Sequence, residues 1–414
     1  MKTDRRNFLV ASAVLGAVGF LPARLAAQPP GLESLTAGLS PISAQEHLAR
    51  IVRLQDLMRR GGLHAIIIEP GASLTYFTGV RWGRSERLTA VVIPADGAPA
   101  IVTPFFEEPS VRESLKIEAE VRPWHEHEDP LVKVAGILKD RKVKGPVGLE
   151  ETVRYFVPDG LKRAMPAVEI RSGANAVRAC RMIKSPAELR LMQAASDVTM
   201  AAYRYTAPRI EKGMRPSDIG RIMSQATTAL GGRSEFELIL LGEASAYPHG
   251  SGKPQEVREG EVVLMDCGCT VHGYQSDISR TFVFGDPTRE QRKVWNDMRN
   301  GQQIAFEAAQ VGRPAGSVDD AVRAYYTSLA YGPDYRLPGL SHRTGHGIGM
   351  DGHEPVNFVH GEATPLAPGM CLSNEPGIYL PGKFGIRLED CLYMTDAGPR
   401  WFSTPPASIE TVFA

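Results

Sequence analysis

Hydrophobic and polar positions divide this 414-residue chain into three regimes. An apolar run from Phe8 to Leu21 comes first, preceded by Lys2, Arg5 and Arg6 and followed by the small residues Ala26 and Ala27. Between Gln28 and Ser43, proline, glycine and serine are frequent and no period holds, as in a linker. From Ala44 to Arg60 apolar residues return at helical spacing (Leu48, Ile51, Leu54, Leu57, Met58), and Gly61-Gly62 ends the helix. Short apolar runs then alternate with helical stretches: HAIIIE, LTAVVIP, PAIVTP and PVGLE read as strands of a mixed α/β domain over residues 44–175.

The remainder, residues 176–414, repeats itself loosely. Its first half runs through a helix (186–205), a GMRPSD break, a second helix (217–230), a PHG turn and a strand (260–266). The second half runs through a helix (290–310), a GRPAGSVDD break, a helix (317–331), a GHG turn and a strand (369–375). Ser185, Pro186 and Glu188 form a helix start in which serine caps and glutamate reaches back. In both halves an acid falls six positions after a glycine, at the end of an apolar strand: Asp266 in GEVVLMD and Glu375 in GMCLSNE. Each strand returns with another acid, Asp277 in QSDISRTF and Glu389 in IRLEDCLYM, so two hairpins carry two carboxylates each and bring the members of a pair within a few ångströms.

Composition changes this picture little. Hydrophobic residues make up 43% of the chain and the formal net charge is zero, which removes support for a nucleic-acid partner. The first 27 residues have the layout of a signal peptide, and Arg5-Arg6-Asn7-Phe8-Leu9 resembles a twin-arginine export signal, which implies a periplasmic or secreted protein. The apolar run is short for a hydrocarbon layer of about 30 Å, and Pro22 interrupts it, so no membrane association is expected after cleavage. Five scattered cysteines are too few for a disulfide scaffold, although an oxidising compartment would permit one bond, and Cys267 and Cys269 beside Asp266 are expected as buried free thiols. The metal-capable run HEHED at His125–Asp129 reads as a solvated loop, because neighbours on an extended segment face opposite ways.

Four converging carboxylates repel one another strongly in a low-dielectric site unless cations neutralise them, and two divalent metals would supply that charge. Histidines sharpen the case. His346 and His353 lie in the glycine-rich run TGHGIGMDGHEP, and His249 of YPHG takes the corresponding place in the other half. His272, His342 and His360 have no such support and read as surface or structural residues.

The order Asp266, Asp277, His346, Glu375, Glu389, within MDCGCTVHGYQSDISRTF, GHGIGMDGHEP, NEPGIY and GIRLED, resembles the pita-bread metallopeptidases: methionine aminopeptidase, aminopeptidase P and prolidase. The N-terminal RLQDLMRRGGLHAIIIEPGASLTYFTG resembles the creatinase-type domain that precedes the catalytic domain on the proline-peptidase side of that family. The resemblance implies an α/β (α+β) fold in which a creatinase-like domain precedes a pseudo-two-fold pita-bread catalytic domain. By the same resemblance, Asp277 and Glu389 bridge two metals, Asp266 completes one site, and His346 and Glu375 complete the other. His249 and His353 match the histidines that hold the substrate and stabilise the tetrahedral intermediate, and Arg387 matches an arginine supporting the last ligand.

Oxygen donors with a single imidazole suit two Mn²⁺ ions, with Co²⁺, Fe²⁺ or Zn²⁺ possible. Water held between two such ions becomes a nucleophile near neutral pH, with Glu375 taking its proton. The resemblance thus implies an aminopeptidase P-like enzyme releasing the first residue from peptides with proline second, and a homodimer. The alternatives are an Xaa-Pro dipeptidase, a metal-dependent hydrolase or lyase acting on small molecules, and a non-catalytic binding module. A dipeptidase needs a cation for the substrate's free carboxylate, and residues 354–374 hold no Arg or Lys. Arg81, Arg84 or Arg87 could supply it from a neighbouring subunit.

Overall fold

The structure is a computed structural model and describes residues 29 and 31–413; the expected signal peptide lies outside the described residues. The strand Ala65–Ile68 is Ala-Ile-Ile-Ile, apolar at every position. Such a strand needs cover on both faces. Ile66 and Ile68 pack into one apolar cluster and Ala65 and Ile67 into another on the opposite face. The sheet around it has six strands in the order Glu120–Trp124, Ala100–Pro104, Ala90–Pro94, Ala65–Ile68, Val147–Leu149, Ile170–Ser172. Its pairings are mixed, antiparallel about Ala90–Pro94 and parallel at both ends.

The helix Ala44–Arg60 forms over the expected residues, but its buried face differs from the apolar spacing. Leu48 is 46% exposed, while His47 and Arg50 are buried. Arg50 reaches the Tyr76 carbonyl (3.0 Å), the Tyr274 hydroxyl (3.0 Å) and Glu188 (3.4 Å), so this helix faces the catalytic domain as well as its own core. Residues 31–43 run along the catalytic domain: Leu35 N–H donates to the Leu230 carbonyl, and Leu32, Leu39 and Ile42 pack against its core. The helix Ala174–Met182 spans the expected boundary between residues 175 and 176, and its Val177 and Cys180 belong to the N-terminal core. The HEHED loop is solvated, and Asp129 caps the helix Pro130–Asp140. No described helix is long and apolar enough to cross a membrane, and all five cysteines are buried free thiols.

In the C-terminal domain the two halves repeat. Helices Pro186–Thr206 and Pro216–Ala229 precede the strands Arg233–Leu241, Val262–Val271 and Ile278–Val283; helices Arg289–Ala308 and Gly316–Ser328 precede the sheet that contains Gly345–Gly347, Cys371–Asn374 and Asp390–Thr395. The Ser185 side chain and Glu188 make the capping box that their spacing implied. The two sheets meet at one antiparallel bridge, where Ser279 and Glu389 exchange backbone hydrogen bonds of 3.2 and 3.1 Å. Beside this seam Arg280 and Asp390, both fully buried, pair at 2.7 Å.

Candidate metal centre

The acids sit where strands end or join. Asp266 lies within Val262–Val271, opposite Ser279 rather than Asp277; Asp277 immediately precedes Ile278, the first paired residue of the returning strand. Glu375 and Glu389 stand one step beyond the last paired residues of their strands, Asn374 and Asp390. Between them Gly377–Leu380 and Phe384–Arg387 form a hairpin of their own, which turns the chain back so that Glu389 faces the seam.

His346, on Gly345–Gly347, is at the centre. Its Nδ1–H donates to the Gly347 carbonyl (3.0 Å), which leaves the Nε2 lone pair facing inward. From Nε2 the nearest oxygens of Glu375, Asp277 and Glu389 lie at 3.3, 3.9 and 3.9 Å. Donor atoms of Asp277, His346 and Glu389 all fall within 4.8 Å of one another. Three of the carboxylates are anchored by neighbours: Arg387 donates to Asp266 Oδ2 (2.5 Å), the Ser279 hydroxyl to Glu389 Oε2 (3.0 Å) and the Ser373 hydroxyl to Glu375 Oε1 (3.3 Å), the same oxygen that faces His346. Asp266 Oδ1, Asp277 Oδ1 and Glu389 Oε1 are buried with no hydrogen-bond partner among the described residues.

Electrostatics agree with a crowded acid cluster. Burial raises the Asp277 and Glu389 carboxyls well above the usual range, and repulsion from Asp266 and Glu375 adds to it in both. Glu375 is pushed up to about 7, chiefly by burial. Burial lowers His346 to about 3, with the neighbouring His353 contributing, so the ring is a neutral donor. Buried orphan oxygens are costly. Three such oxygens, a neutral imidazole and mutually repelling acids are the donor set that divalent cations satisfy.

The remaining expected residues surround this cluster. The His353 ring packs edge-on against His346 with centroids 4.1 Å apart. His249 is exposed at the rim, and its charge bears on His353 and His342. Arg387 is buried and also donates to the Tyr379 hydroxyl (3.1 Å). Ser279 and Ser373 were not legible as part of the site, and neither were His342 and Tyr379. His342, expected as a surface or structural residue, accepts from the Tyr379 hydroxyl (2.8 Å) and donates through Nδ1–H to the Arg343 carbonyl (2.7 Å). Arg387, Tyr379 and His342 thus form one chain. His342 precedes His346 by four residues, a spacing that could have flagged it; Tyr379 carries no comparable signal.

Residues 190–396 match the model of metallopeptidase family M24, and residues 50–183 that of the creatinase/prolidase N-terminal domain. This chain belongs to metallopeptidase family M24. An Xaa-Pro dipeptidase of Lactobacillus helveticus is 31% identical over 85% of this chain and 95% of its own. The crystal structure of dipeptidase PepE from Mycobacterium ulcerans superposes with a TM-score of 0.81 at 29% identity, covering 89% of this chain and 98% of that one. That of the X-Pro aminopeptidase from Thermotoga maritima does so at 0.77 and 26%, covering 86% and 98%. The M24 protein described here is a metallopeptidase with the pita-bread fold.

Proposed function

We propose that this M24 enzyme releases the N-terminal residue from peptides with proline in the second position, acting as an exported homodimer that uses two divalent ions, manganese foremost. The observation that carries the reading is the gathering of Asp277, Glu375 and Glu389 about His346 Nε2, with buried unpartnered oxygens on Asp266, Asp277 and Glu389. Relatives of both modes, dipeptidase and aminopeptidase, support the proline preference. Bound there, divalent ions would supply an activated water and polarise the scissile carbonyl.

The chain's own residues divide the remaining work. Asp266, Asp277, His346, Glu375 and Glu389 would hold the ions, and the hydroxyls of Ser279 and Ser373 fix the carboxylates that they touch. Glu375, with its carboxyl pushed up to about 7, takes a proton and passes it to the leaving nitrogen. His353, kept neutral by burial, donates a hydrogen bond to the oxygen on which charge develops. Arg387 holds Asp266 in place.

A dipeptidase mode is the second reading, favoured by Arg343. This partly exposed cation forms no ion pair among the described residues, and its charge bears on Glu375, His346 and His353. It is suited to hold a substrate's free carboxylate. Arg81, Arg84 and Arg87 are instead engaged within their own chain, by the His272 carbonyl, the Pro70 carbonyl and Glu126. Assaying the Mn²⁺-loaded protein on Ala-Pro, Ala-Pro-amide, Ala-Pro-Ala and Ala-Ala-Ala tests both readings. Turnover of the first three supports the aminopeptidase mode. Turnover of Ala-Pro alone, lost in Arg343→Met, supports the second; faster turnover of Ala-Ala-Ala than of any proline peptide refutes both.

A further inference from the structure

His353 has a position that matters and nothing of its own to hold it. Its imidazole makes no hydrogen bond among the described residues, yet it packs against His346 on one side. On the other it lines a crevice of about 290 Å³ at the domain junction, with Glu150, Arg178, Arg181, Met182 and Asp351. Its location is therefore set by the backbone of the loop 348–353, which contains Gly349 and Gly352 and has little intrinsic stiffness.

What fixes that loop is the next residue. Glu354 is buried, and its Oε1 accepts the backbone N–H of Met350 (3.0 Å) and of Asp351 (3.2 Å). Two cations from outside the loop grip the same carboxylate: Arg181 reaches Oε1 at 2.5 Å and Lys184 reaches Oε2 at 3.0 Å. Arg181 belongs to the helix Ala174–Met182 of the N-terminal domain, and Lys184 to the connection that follows it. Arg181 also binds Asp351 (2.7 Å) and the Ser73 hydroxyl (2.9 Å), and Ser73 donates to the buried Glu150 (3.2 Å). The contact is close-packed, since a Cβ at Gly349 would lie 2.9 Å from both Glu354 oxygens and 2.8 Å from Lys184 Cε.

We propose that Glu354, gripped by Arg181 and Lys184, is a positioning residue that holds His353 against the metal ligands and makes the active-site geometry depend on the seating of the N-terminal domain. The role rests on the peptidase reading for its consequence in turnover, but the tether can be measured without it. A clamped carboxylate that organises a neighbour's loop acts as outer hydrogen-bond partners of metal sites do, and losing such a partner costs about 10–100-fold in activity.

The test uses the full chain carrying Arg181→Gln. Hydrogen exchange should rise about fivefold or more at Met350 and Asp351, with the strands Val262–Val271 and Cys371–Asn374 unchanged. On an Ala-Pro peptide kcat should fall about 10–100-fold with KM within about threefold, and Arg181→Lys should restore most of it. The double variant Arg181→Gln/His353→Asn should be no slower than His353→Asn alone, because both changes remove the same contribution. Unchanged loop exchange, or losses that multiply in the double variant, would overturn the proposal. If Arg181→Gln does not fold, Lys184→Met carries the same test. Failure of the wild type to cleave any proline peptide would remove the peptidase reading, while the exchange arm still decides the tether.

Discussion

At the scale of single residues the site is a set of buried carboxylates, two of which, Asp266 and Glu389, are held by one oxygen and left open at the other. The Ser279 hydroxyl and the Arg387 guanidinium fasten their outer oxygens, so the inner ones cannot turn away to find partners. Glu375 is the member whose protonation is suited to change during a reaction cycle, and replacing it with glutamine keeps its shape while removing the base. Glu375→Gln is expected to lower kcat on an Ala-Pro peptide by about 10²–10⁴-fold with circular dichroism unaltered; undiminished turnover would remove Glu375 from the chemistry. Asp266 and Glu375 were legible in the sequence because each closes an apolar run, His346 because it sits in a glycine-rich run, and Asp277 and Glu389 because each follows on the strand that returns. Ser279, Ser373 and Tyr379 were not, since a lone hydroxyl in a strand is more often an ordinary polar residue. His342, expected as a surface or structural residue, is a structural one, and its link to the site was not legible because its partner Tyr379 lies on a separate hairpin.

At the scale of elements, the repeat of helix, helix and strand was visible in the apolar pattern, and both halves formed nearly where the pattern placed them. Register was not visible, because a slip of one residue along a strand changes which face an acid occupies and only tertiary packing decides it. Hence Asp266 lies opposite Ser279, and the inserted hairpin Gly377–Arg387 separates Glu375 from Glu389 along the chain. The helix Ala44–Arg60 shows the same limit: its apolar spacing placed Leu48 inside, whereas Arg50 is buried by partners in both domains. The seam between the halves rests on Arg280 and Asp390, where Arg280 also donates to the Ser279 and Glu389 carbonyls and Gln302 and Ser403 donate to Asp390. Asp390→Ala leaves a fully buried guanidinium unpaired, and the urea midpoint of the catalytic domain should drop by the equivalent of about 3–5 kcal/mol. Arg280→Met/Asp390→Leu should lose much less, and equal losses would show that the cost comes from losing the pair and its hydrogen bonds rather than from an uncompensated buried charge.

At the scale of the whole molecule, two charge clusters respond oppositely to solution conditions. Glu354 is compensated from within the chain: burial alone would raise its carboxyl, but Lys184 and Arg181 outweigh burial and hold it at about 2. A folded-state value below the unfolded one means stability that is complete above the ordinary glutamate range and lost as pH falls from about 4.5 toward 2. Acid unfolding followed by fluorescence should therefore be shallower in this window for Glu354→Gln than for the wild type. The cluster of Asp266, Asp277, Glu375 and Glu389 is compensated only in part, by Arg387 and Arg343, and burial and mutual repulsion still raise the Asp277, Glu375 and Glu389 carboxyls. Binding to the folded state alone stabilises by about 2.7 kcal/mol at a free metal concentration of 100 Kd, which for a domain of this size corresponds to a rise of about 5–10 °C in Tm. Chelator-treated protein should melt lower by that amount and recover with Mn²⁺, whereas Asp277→Asn should show neither the loss nor the recovery. A melting temperature indifferent to metal in the wild type would mean that the inward-facing oxygens are satisfied in some other way, and the donor set described here would not be a metal centre.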